Sequence, residues 1–280
     1  MPGIIGYIGK DLAALRCVLS LERSAVMDAG EGLGGWGLIY YKAGDILLKS
    51  HPFSTTQIEG FLEVLGEAET DTLLGRFESA SSPPPGKWNM QPFRYRGWVA
   101  VQEGRVEGFN KIREDVVGAM PDFLGRSLKG TSDAEAVFHL MLSFLYDTGK
   151  LDLQKIDPQI VVTAMRHTLE FLQRMCLERD AKPPALSLLV SNGSLLAGYS
   201  HGEGRIGVYE GRGDCERCDA RERCRLYRHS ESTRSALVMM FRQLPPALDR
   251  KPFSPIQPDS FFVISRDVTV ESIPGRITMF

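Results

Sequence analysis

Three cysteines and one histidine form the grouping in this sequence that is most typical of metal chemistry. Cys215, Cys218, Cys224 and His229 lie in a segment rich in charged residues and glycine. Thiolate and imidazole are ligands that Zn²⁺ prefers, and a Cys-x2-Cys pair can close on one ion. The spacing predicts a zinc or iron–sulfur site in a loop or insertion at about residues 211–229. A local disulfide or a redox-labile loop is the alternative, since no second Cys-x2-Cys pair follows.

Composition narrows the classes of partner. The chain of 280 residues carries a net charge of −2, and its 43% of hydrophobic residues is ordinary for a globular protein. The arginines between residues 221 and 228 alternate with acidic residues, which favours a solvated surface and no nucleic-acid partner. No apolar run approaches the roughly 20 residues that span a bilayer. An odd cysteine count predicts a reducing compartment, and hence the cytoplasm.

Apolar periodicity and turn residues predict which elements position these groups. Strands are expected at residues 36–41 and 45–48, joined by a turn at Lys42-Ala43-Gly44, and at residues 72–77. Asn192-Gly193 predicts a second hairpin between residues 185–190 and 194–199, and Glu103-Gly104 predicts a third between residues 98–102 and 105–109. Further strands are expected at residues 205–209, 236–241, 260–265 and 268–272.

Helices are expected in four places: from Asp11 to about residue 27, from Thr55 or Thr56 to residue 65, from Asp133 to residue 145, and from Asp157-Pro158 to about residue 177. Proline fits the first turn of a helix, where its missing N–H costs nothing. Hairpins outnumber strand–helix–strand crossovers, so the pattern predicts an α+β fold with helices on antiparallel sheets. We interpret residues 1–280 as a single domain.

Several short motifs follow one another over about residues 1–145. After the first residues, through Gly6, they are Gly34-Gly35-Trp36-Gly37, Arg76-Phe77-Glu78-Ser79-Ala80-Ser81, Asn89-Met90-Gln91-Pro92-Phe93, Gln102-Glu103-Gly104-Arg105-Val106 and Gly130-Thr131-Ser132-Asp133-Ala134-Glu135. In this order they resemble the motifs of class II glutamine amidotransferases, which are N-terminal-nucleophile hydrolases and begin Met-Cys-Gly-Ile-x-Gly. The resemblance implies a four-layer αββα sandwich of two antiparallel sheets.

The resemblance also implies site residues, and three of them depart from the family pattern. Pro2 occupies the position of the cysteine nucleophile. Glu78 stands where an arginine would hold the substrate carboxylate, and Glu103 stands where an asparagine would donate to the oxyanion. Gly104, the second oxyanion donor, and Asp133, the anchor for the substrate ammonium group, are retained.

These departures predict a degenerate glutaminase site. We expect Glu78, Glu103 and Asp133 to converge near the N-terminal amine, in an acidic pocket that binds a small amine or amino-acid-like ligand or is closed by an ion pair. Such a pseudoenzyme would be a binding or regulatory partner of a synthase or synthetase. The alternative is a hydrolase or other enzyme that uses the Pro2 amine with these carboxylates. A simpler interpretation pairs Glu78 with Arg76 and leaves Glu103 exposed in a hairpin.

Overall fold

A computed structural model of the chain describes residues 3–10, 12, 14–24, 26, 33–51, 58–79, 86–211, 233–241, 248–249 and 252–275. Its strands are β1 Gly3–Gly9, β2 Leu33–Lys42, β3 Asp45–His51, β4 Thr72–Ser79, β5 Phe93–Tyr95, β6 Trp98–Arg105, β7 Ala185–Ser191, β8 Leu195–Ser200, β9 Gly204–Gly211, β10 Thr233–Phe241, β11 Phe253–Ile256, β12 Ser260–Ser265 and β13 Val270–Pro274. Its α-helices are α1 Ala14–Leu21, α2 Ile58–Glu67, α3 Phe109–Gly118, α4 Asp122–Gly125, α5 Asp133–Asp147 and α6 Pro158–Glu178.

The strands form two antiparallel sheets. One has seven strands in the order β11-β9-β10-β1-β4-β2-β3, and the other has six in the order β13-β12-β8-β7-β6-β5. Strand β1 lies at the centre of the first sheet between β4 and β10, and all seven of its residues are buried. A strand covered on both faces has no solvent side, which explains its unbroken run of apolar and glycine residues. The α+β prediction is confirmed.

The two sheets and the helices stack in four layers. Helices α1 and α2 pack on the outer face of the seven-stranded sheet, where Leu15, Phe61 and Phe77 share one cluster. Helices α3 to α6 cover the outer face of the six-stranded sheet. Between the sheets, Leu74 of β4 meets Val99 of β6 in a third cluster. This arrangement confirms the predicted αββα sandwich.

Two of the three predicted hairpins form as expected. Lys42 pairs with Asp45 across a turn in which Ala43 and Gly44 have φ values of 52° and 88°. Two successive left-handed residues give the turn whose twist suits a hairpin. The turn at Asn192-Gly193 joins β7 to β8, which pair antiparallel.

The third hairpin, at Glu103-Gly104, was a wrong prediction. Strand β6 continues through both residues to Arg105, and Gly104 pairs with Leu186 of β7. The segment predicted as a returning strand instead leads into helix α3, whose buried Ile112 and Val116 follow Phe109 at helical spacing. Gly104 serves a close approach and not a turn, because a Cβ there would lie 2.1 Å from the carbonyl oxygen of Ala185.

Two short strands, β5 and β11, were not predicted. β11 contains Pro255 and forms one edge of its sheet, where a missing N–H breaks no ladder. Across the described part of the chain, no helix combines the length and apolar character needed to cross a membrane.

Candidate functional site

The centre of the site is Arg76, a guanidinium held between the two sheets. Its side chain is 8% exposed. Nε donates to Glu78 Oε1 at 3.1 Å and Nη2 donates to Glu78 Oε2 at 3.3 Å. Nη1 donates to the carboxylate of Glu103 and, at 3.2 Å, to the carbonyl oxygen of Gly3. One cation therefore binds two carboxylates and the backbone of β1.

Strand alternation explains why these side chains meet. Successive residues of a strand point to opposite faces, so Arg76 and Glu78 share the face of Leu74, which packs between the sheets. By the same alternation, Glu103 shares the face of Val101 on β6. Charges in such a layer are costly unless they are paired and hydrogen-bonded. Arg76 and Glu103 are each buried, and each gives the other an oppositely charged, hydrogen-bonded partner.

These contacts decide between the interpretations of the two glutamates. The pairing of Glu78 with Arg76 is confirmed. The interpretation of Glu103 as an exposed hairpin residue is wrong, because Glu103 is 7% exposed and lies within a continuous strand. A hairpin tip would have placed its carboxylate in water, whereas the strand places it against a cation in the other sheet.

Asp133 does not join the two glutamates. Its Oδ2 accepts hydrogen bonds from the backbone N–H of Val106 at 2.6 Å and from Gln102 Nε2 at 3.3 Å. Gln102 precedes Glu103 in β6, so the two side chains point to opposite faces of the sheet. The expected convergence of three carboxylates is therefore wrong: two lie between the sheets and Asp133 lies on the helical side. Burial raises the pKa of the Asp133 carboxyl group, against the opposing effect of these hydrogen bonds.

A pair of glutamines that the sequence did not single out supports this side of the site. The Gln91 amide bonds the backbone of Gln102 in both directions, through Oε1 to the N–H at 2.5 Å and through Nε2 to the carbonyl at 3.1 Å. Gln102 is 1% exposed, and within the described residues its Oε1 has no hydrogen-bond partner. The resemblance covered Gln91 and Gln102, but no local pattern showed that they would meet.

Asp133 is positioned by the loop that begins helix α5. Ser132 caps the helix by accepting from the Glu135 N–H at 3.2 Å. The buried carboxylate of Glu135 accepts from the N–H groups of Lys129 at 2.9 Å and Gly130 at 2.7 Å. Asn89 Oδ1 accepts from the Thr131 N–H at 2.8 Å. The loop is thus fixed from both sides.

An open cleft lies beside Asp133. Its volume is about 620 Å³, and it is lined by Phe109, Asn110, Arg113, Thr131, Ser132 and Asp133. No ion pair to the Arg113 guanidinium is found among the described residues. The cleft therefore combines a guanidinium, a carboxyl group, two hydroxyls and an aromatic wall, which suits a small polar ligand.

Several predicted site residues lie outside the described residues: Pro2, Cys215, Cys218, Cys224 and His229. Within the part that is described, no three His, Cys, Asp or Glu side chains are grouped so that they could hold a metal ion. The described cysteines, Cys17 and Cys176, are both buried. The predicted metal site therefore stays a prediction.

No protein-family model matches the sequence, and no curated protein does. Solved structures match over nearly the whole chain. A glutamine aminotransferase class-II domain protein from Silicibacter pomeroyi is similar at a TM-score of 0.61 and 16% identity, over 98% of this chain and 99% of that one. A predicted glutamine amidotransferase from Pseudomonas aeruginosa is similar at a TM-score of 0.54 and 14% identity. The match covers 96% of this chain and 95% of that one.

A third similar structure is the glutamine phosphoribosylpyrophosphate amidotransferase from B. subtilis, in complex with ADP and GMP. Its TM-score is 0.57 at 14% identity, over 99% of this chain and 50% of that one, so this chain spans half of its length. Together the layers and these likenesses define the class of fold: a four-layer αββα sandwich of two antiparallel sheets. Within that class, the chain has the fold of the class II glutamine amidotransferases.

Proposed function

We propose that this chain is a class II glutamine amidotransferase-like protein that has lost glutamine hydrolysis and acts as a binding or regulatory partner. The observation that carries the proposal is the ion pair of Glu103 with Arg76. An oxyanion needs hydrogen-bond donors aimed at the developing negative charge. At the position where the resemblance expects an asparagine, this chain presents a carboxylate that only accepts.

The carboxylate anchor and the nucleophile support the same conclusion. Arg76, the cation nearest to the expected anchor, already binds two carboxylates and a carbonyl. The protein itself therefore uses four of the five N–H donors of this guanidinium. Pro2 has neither a thiol nor a hydroxyl, so it cannot supply the side-chain nucleophile of the family.

The cleft beside Asp133 supports a small amine or amino-acid-like ligand. Arg113 can bind a carboxylate, and Asp133 or the hydroxyls of Thr131 and Ser132 can bind an ammonium group. We infer that ligand binding in this cleft changes how the chain binds a partner protein, a synthase or synthetase.

We further propose that Cys215, Cys218, Cys224 and His229 bind zinc or an iron–sulfur cluster. Metal analysis of protein purified without chelators tests that site, and a metal-free protein would exclude it.

Ammonia release from glutamine tests the loss of hydrolysis. The parent chain and its Pro2→Cys variant are compared with a variant that also carries Arg76→His, Glu78→Arg and Glu103→Asn. We expect no ammonia release from the parent chain or from the Pro2→Cys variant, because restoring the thiol alone leaves the carboxylates of Glu78 and Glu103 in place. Glutamine turnover by the parent would falsify the proposal. A borohydride-trapped adduct of a carbonyl probe on Pro2 would favour the enzyme alternative.

A further inference from the structure

The edge of the seven-stranded sheet carries an exposed strand whose residues are complementary to themselves. Strand β3 lies at the end of the strand order and pairs only with β2 among the described strands. Six of its seven residues are exposed, including the apolar Leu47 and Leu48 at 38% and 55%. An open edge with exposed leucines is a template for pairing with another strand.

The free edge can be located on the backbone. The carbonyl oxygen of Ile46 accepts a hydrogen bond from Arg94 Nη1 of β5 at 3.1 Å, so it points away from β2. Backbone groups alternate in direction along an antiparallel strand, so the N–H and C=O of Leu48 point the same way. Ile46 keeps a second lone pair for a new strand.

The sequence Asp45-Ile46-Leu47-Leu48-Lys49 specifies what that strand would be. When β3 is placed antiparallel to a second β3 with Leu47 opposite Leu47, Asp45 lies opposite Lys49 and Ile46 lies opposite Leu48. Each charged residue then faces one of opposite sign, so the Asp45–Lys49 pair occurs twice, and each apolar residue faces an apolar one. Ile46 of one copy lies opposite Leu48 of the other, and the backbone N–H and C=O groups of both residues point away from β2. These groups can therefore bond each other across the contact, as a hydrogen-bonded pair of an antiparallel ladder requires.

The two charges are available for this role. Among the described residues, neither Asp45 nor Lys49 forms an ion pair within its own chain. Both are exposed, and they lie on the same face of β3 because they are four residues apart.

We propose that two copies of this chain associate through their β3 strands, antiparallel and centred on Leu47, to form one continuous sheet. The contact is isologous, so each cross-strand pair occurs twice about the two-fold axis. It also covers Leu48, the more exposed of the two leucines.

Sedimentation velocity over a concentration series tests this interface with charge reversal. We expect the parent chain to form a detectable fraction of dimer at protein concentrations up to about 100 µM, and that fraction should rise with concentration by mass action. Lys49→Asp and Asp45→Lys should each weaken dimerisation by about tenfold, because both copies of the pair become repulsive. An equimolar mixture of the two variants should regain the parent affinity, since each chain then complements the other at both pairs.

Two further variants separate the interface from general effects. Leu48→Lys should leave the thermal melt nearly unchanged, because the side chain is exposed, and should abolish the dimer. Lys155→Asp makes the same charge change at an exposed position outside β3 and should leave the dimer intact. A parent that stays monomeric, a mixture that does not associate, or a dimer that survives Leu48→Lys would overturn the proposal.

Discussion

Arg76 and Glu103 join the two sheets of the sandwich through one buried ion pair. The guanidinium comes from β4 and the carboxylate from β6, and both side chains are less than 10% exposed, at 8% and 9%. The same guanidinium binds the carbonyl of Gly3 in β1. A charge network therefore stands where the amidotransferase resemblance implies a neutral donor, and it ties β4 to β6 and to β1.

Removing one partner of this pair should destabilise the protein. Glu103→Leu leaves Arg76 buried with only Glu78 as a charged partner, and we expect a loss of about 3 kcal/mol in the free energy of unfolding. The triple variant Arg76→Met with Glu78→Gln and Glu103→Leu removes all three charges of the network and should recover most of that loss. Urea unfolding at neutral pH measures the single and the triple variant. Equal losses in the two would contradict this account.

The left-handed conformation of Gly104 should not tolerate a side chain. Its φ is 79°, and a Cβ would lie 2.1 Å from the carbonyl oxygen of Ala185. We expect Gly104→Ala to cost more than about 2 kcal/mol, since both the backbone conformation and the contact oppose it. Gly97→Ala is the matched control, because nothing lies within 4 Å of a Cβ there. Thermal melts of equal midpoint for the two variants would refute the argument.

Asp133 should make the protein less stable as the pH rises. Burial raises the pKa of its carboxyl group in the folded state. A carboxyl group whose pKa is raised on folding stabilises the fold at pH values below its pKa in the unfolded chain, which is about 3.9. This stabilisation is lost as the pH rises through the pKa of the folded state. Asp133→Asn keeps an acceptor for the Val106 N–H without the charge. Its stability relative to the parent should therefore improve from acid to neutral pH, as measured by urea unfolding, and a constant difference would exclude this effect.

His139 should make the protein less stable as the pH falls, which is the opposite of the effect of Asp133. It is 2% exposed, and burial lowers its pKa. Its Nδ1–H donates to the carbonyl oxygen of Glu135 at 2.9 Å. A neutral buried imidazole contributes stability above the unfolded pKa of about 6.5, and this is lost as the pH falls towards the lower folded value. The melting temperature of the parent should fall more steeply below pH 6.5 than that of His139→Leu; parallel curves would show that another group titrates.

The sequence alone determined the elements whose signals are local. The turn at Ala43-Gly44 and the starts of α5 and α6 are read from residues that contact neighbours within a few positions. Asp157 accepts from the Gln159 N–H, and Pro158 occupies the first turn, as the pattern predicted. From the hairpins and amphipathic helices the α+β class followed. The resemblance of the ordered motifs, and not the pattern alone, implied the sandwich.

Only the tertiary structure decided what the site residues contact. Arg76 and Glu103 are 27 positions apart, and Gln91 and Gln102 are 11 apart. Local patterns did not show that these residues would meet, because each belongs to a different strand or loop and the register of two sheets brings them together. The sequence showed a glycine at Gly104 but not whether it served a turn or a close approach, since both use the same residue and differ only in the neighbouring strand.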